Sequence, residues 1–149
     1  MRAVVTRVDS ASVTIDEKIH GKIGKGLLIL LGIAPEDTSA HCRKMADKIL
    51  GLRIFTDEND KMNLSLADIG GEVLVVSQFT LYGDCRKGRR PNFIQAAGPD
   101  IAIPLYEQFL KECETLGFPP QHGEFGAHML VESVNNGPVT LIVDTDDIM

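Results

Sequence analysis

The segment NNGPVT, Asn135–Thr140, stands between two apolar stretches, MLVESV (Met129–Val134) before it and VTLIV (Val139–Val143) after it. Asn136-Gly137 is a pair that tolerates the positive φ of a tight β-turn, so the segment predicts a hairpin joining strands at about Ala127–Val134 and Val139–Asp144. Pro138 is the odd member. Lacking an N–H, it belongs at the first residue of a strand or on an edge. An X-Pro bond can also be cis, a form that non-proline bonds almost never take and that commonly marks a tight turn. From the residues alone, an ordinary trans turn and a cis-proline turn both remain open.

Working outward, Arg2–Val8 and Ser12–Asp16 alternate Val, Thr and Ile with polar residues and predict a first pair of short strands. Gly21, Gly24 and Gly26 punctuate a turn, after which Leu27–Ile33 reads as a buried strand. Thr38 is a good N-cap for a helix whose Cys42, Met45, Ala46 and Ile49 recur at helical spacing. Asn63–Gly71 is weakly patterned and predicts irregular chain or a short helix. The continuous apolar run Val73–Val76 predicts a second buried strand. A further helix is expected from about Ile103 to Leu116, with Pro104 in its first turn and Gly117 and Pro119 as stop signals. These elements predict an α+β fold: a mostly antiparallel sheet, or partly closed β-barrel, with two main helices packed on it. Regular βαβ alternation, the mark of a doubly wound fold, is missing.

With 149 residues and 44% hydrophobic content, the chain is expected to form one domain over residues 1–149 without disulfide or metal staples. The three cysteines, Cys42, Cys85 and Cys113, match neither a disulfide framework nor a CxxC motif. The four histidines show no ligand spacing, so neither a metal nor another cofactor is expected. MRAVVTRVDS lacks the apolar core of a signal peptide, and the longest apolar run, Gly26–Ala34, is too short to span a bilayer. A cytoplasmic protein with no membrane partner is the expectation. The net charge of −6 does not advertise nucleic-acid binding. Locally the balance reverses: RKGRR, Arg86–Arg90, sets four cations in five positions.

Chemistry has four candidate locations. Ser77, Gln78 and Thr80 cluster where a buried strand ends, which fits either a site or strand-end capping; no GxSxG elbow supports a serine triad. Arg86, Lys87, Arg89 and Arg90, followed by Phe93, suit phosphate contact with an aromatic to pack or stack on a base; a solvated loop is the plainer reading. GEFGAHM, Gly123–Met129, has two glycines around Phe125 that permit close backbone approach or a bulge. NNGPVT is the fourth.

Taken together and in order, SQFTLYGD, KGRRPNF, GEFGAHM and NNGPVT resemble the signature segments of the bacterial and eukaryotic type of D-aminoacyl-tRNA deacylase, also called D-tyrosyl-tRNA deacylase. MRAVVTRVDSASV and KGLLILLGI are similar to that family as well, so the resemblance spans the chain. It departs locally at Asn136, Asn92 and His128.

The resemblance implies hydrolysis of the ester between a D-amino acid and the 3′-terminal adenosine of tRNA, by a homodimer with its site at the subunit interface. It implies that Gly137-Pro138 is a Gly-cisPro element inserted into the other subunit's pocket, rejecting L-aminoacyl-tRNA while glycyl-tRNA is still accepted. Ser77, Gln78, Phe79 and Thr80 correspond to the SQxTL element that lines the catalytic pocket, and Met129 to its wall. Arg86, Lys87, Arg89, Arg90 and Phe93 are the expected tRNA contacts. RNA rather than DNA is the implied partner, because the terminal ribose hydroxyls distinguish the two. Two rivals come from other classes. A small-substrate esterase would use Ser77 or Thr80 covalently, and a non-catalytic dimeric RNA-binding module would rely on RKGRR alone.

Overall fold

The computed structural model describes residues Met1–Met149. In chain order the elements are β1 (Arg2–Ile15), β2 (Lys18–Ile23), β3 (Gly26–Gly32), α1 (Ser39–Leu50), β4 (Phe55–Thr56), β5 (Met62–Leu64), α2 (Leu66–Ile69), β6 (Glu72–Ser77), a 3₁₀ turn (Phe79–Tyr82), α3 (Pro99–Thr115), β7 (Gln121–His122), β8 (Leu130–Asp144) and α4 (Thr145–Ile148). The main sheet runs β2-β1-β3-β6-β7, with β8 along β1. It curls toward closure, since Gly21 of β2 lies against β7, where an added Cβ would stand 3.3 Å from the His122 carbonyl oxygen.

The α+β class and the two main helices agree with the sequence reading, but the sheet is mixed. β3 and β6 are parallel, as are β6 and β7. A parallel pair needs a crossover, and α1 supplies the one between β3 and β6.

Packing explains why β3 and β6 read as continuous apolar runs. Leu27, Ile29 and Leu31 of β3 and Val73 and Val75 of β6 face the core beneath α1 and α3. Their alternates Leu28, Leu74 and Val76 face a second cluster with Val8, Ala11, Val13 and Ile23. Tyr106 of α3 donates its hydroxyl proton to the Val75 carbonyl (3.2 Å), and the Cys42 thiol of α1 points to the Leu105 carbonyl (3.3 Å), so both helices are registered on the sheet.

Three sequence expectations are corrected. Arg2–Val8 and Ser12–Asp16 are not separate strands but parts of β1. Ala3 and Val5 face one core and Ala11 and Val13 the other, because a ladder irregularity between Val8 and Ser10 flips the side-chain phase. The chain then reverses at Asp16-Glu17, both at positive φ (50° and 65°), as a two-residue hairpin loop of this hand requires. The pair contains no glycine, so β2, which the sequence reading took as a turn, went unseen. Second, Pro104 does not lie in a first turn. Helix α3 begins at Pro99 after Gly98, and Pro104 sits inside it.

Third, NNGPVT is not a hairpin. β8 is continuous from Leu130 to Asp144, and both flanks pair with β1 rather than with each other: Val8 opposes Asn135 and Thr6 opposes Thr140. Two steps along β1 therefore match five along β8, so Asn136–Val139 leave the ladder as a wide bulge. Pro138, without a donor, costs the ladder nothing there. Gly137 has φ 120°, and the Gly137-Pro138 bond is cis.

Burial also sorts the thiols. Cys42 and Cys113 are enclosed while Cys85 is exposed. Desolvation pushes both buried thiols up to about 12. Titration with an aromatic disulfide reagent is expected to count one fast thiol per folded chain and three after unfolding; fast reaction of a second thiol in the native protein would contradict this core.

Candidate active site

β6 ends at Ser77, where the Gln78 N–H donates to the Leu31 carbonyl (2.7 Å) and the 3₁₀ turn begins. Gly32 lets this turn sit down on β3, since a Cβ there would lie 3.0 Å from the Gln78 carbonyl oxygen. Arg2 braces the other end. Its guanidinium stacks over the Tyr82 ring (4.8 Å), donates to the Leu81 carbonyl (3.0 Å) and pairs with Asp144 (2.9 Å).

The seat leaves two main-chain donors without partners in their own turn. Phe79 and Thr80 head it, so neither N–H has an acceptor within the turn, and no side chain accepts from them. The Thr80 hydroxyl accepts from the Gln78 side-chain amide. No histidine or carboxylate bonds to either the Ser77 or the Thr80 hydroxyl, so the arrangement offers no activated side-chain nucleophile.

Beside the turn opens a pocket of about 560 Å³, mostly apolar. Ser77, Gln78 and Phe79 form one wall; Ala97, Pro99 and Ala102, at the start of α3, form another. The loop Phe125–Met129 closes the third, with Gly126 at φ 80° making its turn. Gly123 is what brings Met129 in, because its sulfur lies 2.4 Å from where a Cβ would be.

The expected residues thus divide. Ser77, Gln78, Phe79 and Met129 line one cavity. Thr80 stands at its edge, exposed and tied to Gln78. Gly137 and Pro138 do not line it. Their bulge is exposed and held from beneath by Arg7, whose Nε donates to the Asn136 carbonyl (3.2 Å). Arg7 also donates to the Ile54 carbonyl (2.8 Å) and the Thr56 hydroxyl (3.3 Å), tying the bulge to β4. Sequence reasoning passed over Arg7, although a cation inside the strand VVTRV was a visible signal. It also passed over the start of α3, which carries no chemical signature.

The basic loop has a defined base. Asp84 and Asn92 exchange main-chain bonds (2.8 and 3.0 Å), closing a small loop with Gly88 at φ 66°. Arg86 pairs with the Asp84 carboxylate through two nitrogens (2.9 and 2.8 Å), which holds that carboxyl down at about 2. Phe93 turns its ring toward Phe79 edge to face, with centroids 5.2 Å apart.

A small α+β barrel whose apolar strand-end pocket is bordered by the leading N–H groups of a 3₁₀ turn fits a hydrolase that polarises a carbonyl without a side-chain nucleophile. The family model described as D-Tyr-tRNA(Tyr) deacylase matches residues 4–144, and the chain belongs to that family, whose enzymes are hydrolases of ester bonds. Relatives named D-aminoacyl-tRNA deacylase from Clostridioides difficile (strain 630) and Desulfatibacillum aliphaticivorans are each 61% identical over 145 residues, covering 97% of this chain and 97% and 99% of theirs. Among solved structures, one titled c-Myc DNA Unwinding Element Binding Protein is 41% identical, with TM-score 0.91 over 97% of this chain and 98% of that one. A second, a probable eukaryotic D-amino acid tRNA deacylase, shares the fold at TM-score 0.81 and 20% identity, covering 95% of this chain and 97% of that one.

Proposed function

We propose that this chain frees tRNA from D-amino acids by hydrolysing the ester to the terminal adenosine, and that a second copy supplies the element that refuses L-aminoacyl groups. The observation that carries the reading is the arrangement at Phe79 and Thr80: two N–H donors at the head of a 3₁₀ turn, without partners inside it, beside an apolar pocket, with the Thr80 hydroxyl engaged by an amide. Water adds to the ester carbonyl, assisted by the neighbouring ribose hydroxyl of the substrate itself. The two N–H groups hold the oxyanion, and the ribose oxygen departs with a proton, giving tRNA and the free amino acid.

Rejection of the L-ester rests on a steric wall. L- and D-aminoacyl groups exchange only hydrogen and side chain at one carbon, a difference that graded apolar contact reads poorly. A fixed main-chain surface admits hydrogen and excludes a side chain. Gly137-Pro138 suits that task because Arg7 holds its bulge and because it does not line the pocket of its own chain, so the wall would come from a partner. β8 supports a homodimer. It has a ladder partner on one edge only and exposes Leu130, Val134 and Ile142. Glycyl-tRNA, with hydrogen on both sides, passes the same wall. The site of action is the cytoplasm, where tRNA is charged.

Deacylation of D-tyrosyl-tRNA and L-tyrosyl-tRNA, side by side, tests this. Loss of the D-ester with the L-ester spared is expected; hydrolysis of both esters removes the filter, and hydrolysis of neither returns the chain to the binding-module reading. Thr80→Ala is expected to stay within about tenfold of the parent, since deleting an essential nucleophile costs about 10⁴-fold or more.

A further inference from the structure

We infer that the loop between Asp84 and Asn92 is a phosphate grip for the single-stranded 3′ end of tRNA, in which Lys87, Arg89 and Arg90 make the contacts and Arg86 is a positioning residue that holds the loop. The inference rests on the reading of the pocket as an aminoacyl-ester site.

Its first support is the division of charge. Of the four cations in RKGRR, Arg86 is neutralised by its two-nitrogen pair with Asp84 and also donates its main-chain N–H to the same carboxylate (3.0 Å). Lys87, Arg89 and Arg90 pair with nothing and are exposed. Because Arg86 holds the Asp84 carboxyl far below the usual range, this arrangement persists over the whole pH range in which an aminoacyl ester can be assayed. On a chain of net charge −6, three unpaired cations on one short loop are the places where a polyanion is attracted rather than repelled.

Its second support is placement. Phe79 lines the ester pocket, Phe93 contacts Phe79, and Phe93 follows Asn92, whose main chain closes the loop on Asp84. Gly83 makes room for the Phe93 ring, which lies 3.0 Å from where a Cβ would be. The pocket and the cations are thus joined by one packed path. On this inference a strand with its terminal ester in the pocket leaves on the side that Phe79 borders, past the Phe79–Phe93 pair, and its following phosphates meet the loop. Both rings are partly exposed, as a surface on which a base can rest requires.

Single-strand phosphate contacts contribute about −0.7 each to the slope of log K against log salt, so three contribute about −2. Binding of deacylated tRNA, followed by fluorescence anisotropy between about 50 and 200 mM salt, is therefore expected to weaken by roughly 15–20-fold more in the parent than in the variant Lys87→Gln/Arg89→Gln/Arg90→Gln. Arg86→Gln, which unties the loop, should weaken binding at every salt concentration without flattening the slope. In deacylation, the triple variant raises KM with kcat preserved. On tRNA trimmed of its terminal CCA, parent and triple variant should show the same slope.

Equal slopes on intact tRNA would overturn the inference, as would a slope difference that survives trimming or appears equally on duplex DNA. Arg86→Gln flattening the slope like its neighbours would overturn the division of roles. Binding needs no turnover, so a chain that grips CCA ends as described but spares D-tyrosyl-tRNA would refute the proposed function and leave the grip standing.

Discussion

Replacing Arg7 by alanine is expected to cost the protein about 2–4 kcal/mol of stability and to lower D-aminoacyl-tRNA hydrolysis by about 100-fold. Arg7 lies in β1, is almost fully buried, and donates to Asn136, Ile54 and Thr56 from one guanidinium. Truncation strands the buried Ile54 carbonyl, which costs on the order of 1–3 kcal/mol, and removes two part-buried bonds to the exposed residues Asn136 and Thr56, which add less. The activity loss has a separate origin. The Asn136 carbonyl immediately precedes Gly137-Pro138, so losing the tether frees the segment proposed to sit beside a partner's substrate, where misplacement by about an ångström is enough for such a loss. Arg7→Lys separates the two effects. An ammonium can satisfy one of the carbonyls but lacks the planar fork that spans both, so stability should recover in part while activity does not. Urea denaturation at constant m reads the first quantity and deacylation of D-tyrosyl-tRNA the second. A destabilised Arg7→Ala that hydrolyses D-tyrosyl-tRNA at the parental rate would show that the bulge is positioned by something else.

Gly26→Ala is expected to be the most damaging small substitution in the sheet, at about 3 kcal/mol or more, and to leave little folded protein at 37 °C. An added Cβ would stand 1.8 Å from the Glu72 carbonyl oxygen and 2.7 Å from both the carbonyl carbon and the nitrogen of that residue. All three are main-chain atoms. No rotamer relieves the clash, and the parallel ladder that starts at Gly26 and Glu72 must open. That ladder carries β6, and β6 ends in Ser77 at the pocket. Gly24→Ala, two residues earlier, is the control, since its nearest neighbour is the Glu72 side-chain oxygen at 3.4 Å, an ordinary contact. It should lie within about 0.5 kcal/mol of the parent. Similar midpoints for the two variants in urea would mean that β3 and β6 approach less closely than described.

Helical spacing in Cys42–Ile49 and the apolar runs Leu27–Ile33 and Val73–Val76 were legible because each buries residues at the period of its own element. Ser77 and Gln78 stood out because polar residues at the end of a buried strand are a local feature, whereas Phe79 and Met129 entered only through the family resemblance; all four line one cavity. What was illegible depended on the partner rather than on the segment. Asn136-Gly137 is a strong turn signal, yet β8 runs straight past it, because the apolar residues on either side find their hydrogen bonds along the same long strand β1. The break read between Val8 and Ser12 has the same origin: a change of buried face looks like a strand end until both faces are known to be covered.

The sequence by itself determined the α+β class, the two main helices, the buried central strands and the family, since these rest on periodicity and on motifs carried within single segments. Only the tertiary structure decided that the sheet is mixed, that Pro138 lies on a bulge rather than in a hairpin, that Arg7 holds that bulge, and that Arg86 is committed to Asp84 while its three neighbouring cations are not. The physical reason is common to all four. Each is a choice of hydrogen-bond or charge partner, and a donor's partner is settled by what the folded chain brings within about 3 Å of it, not by its neighbours in sequence.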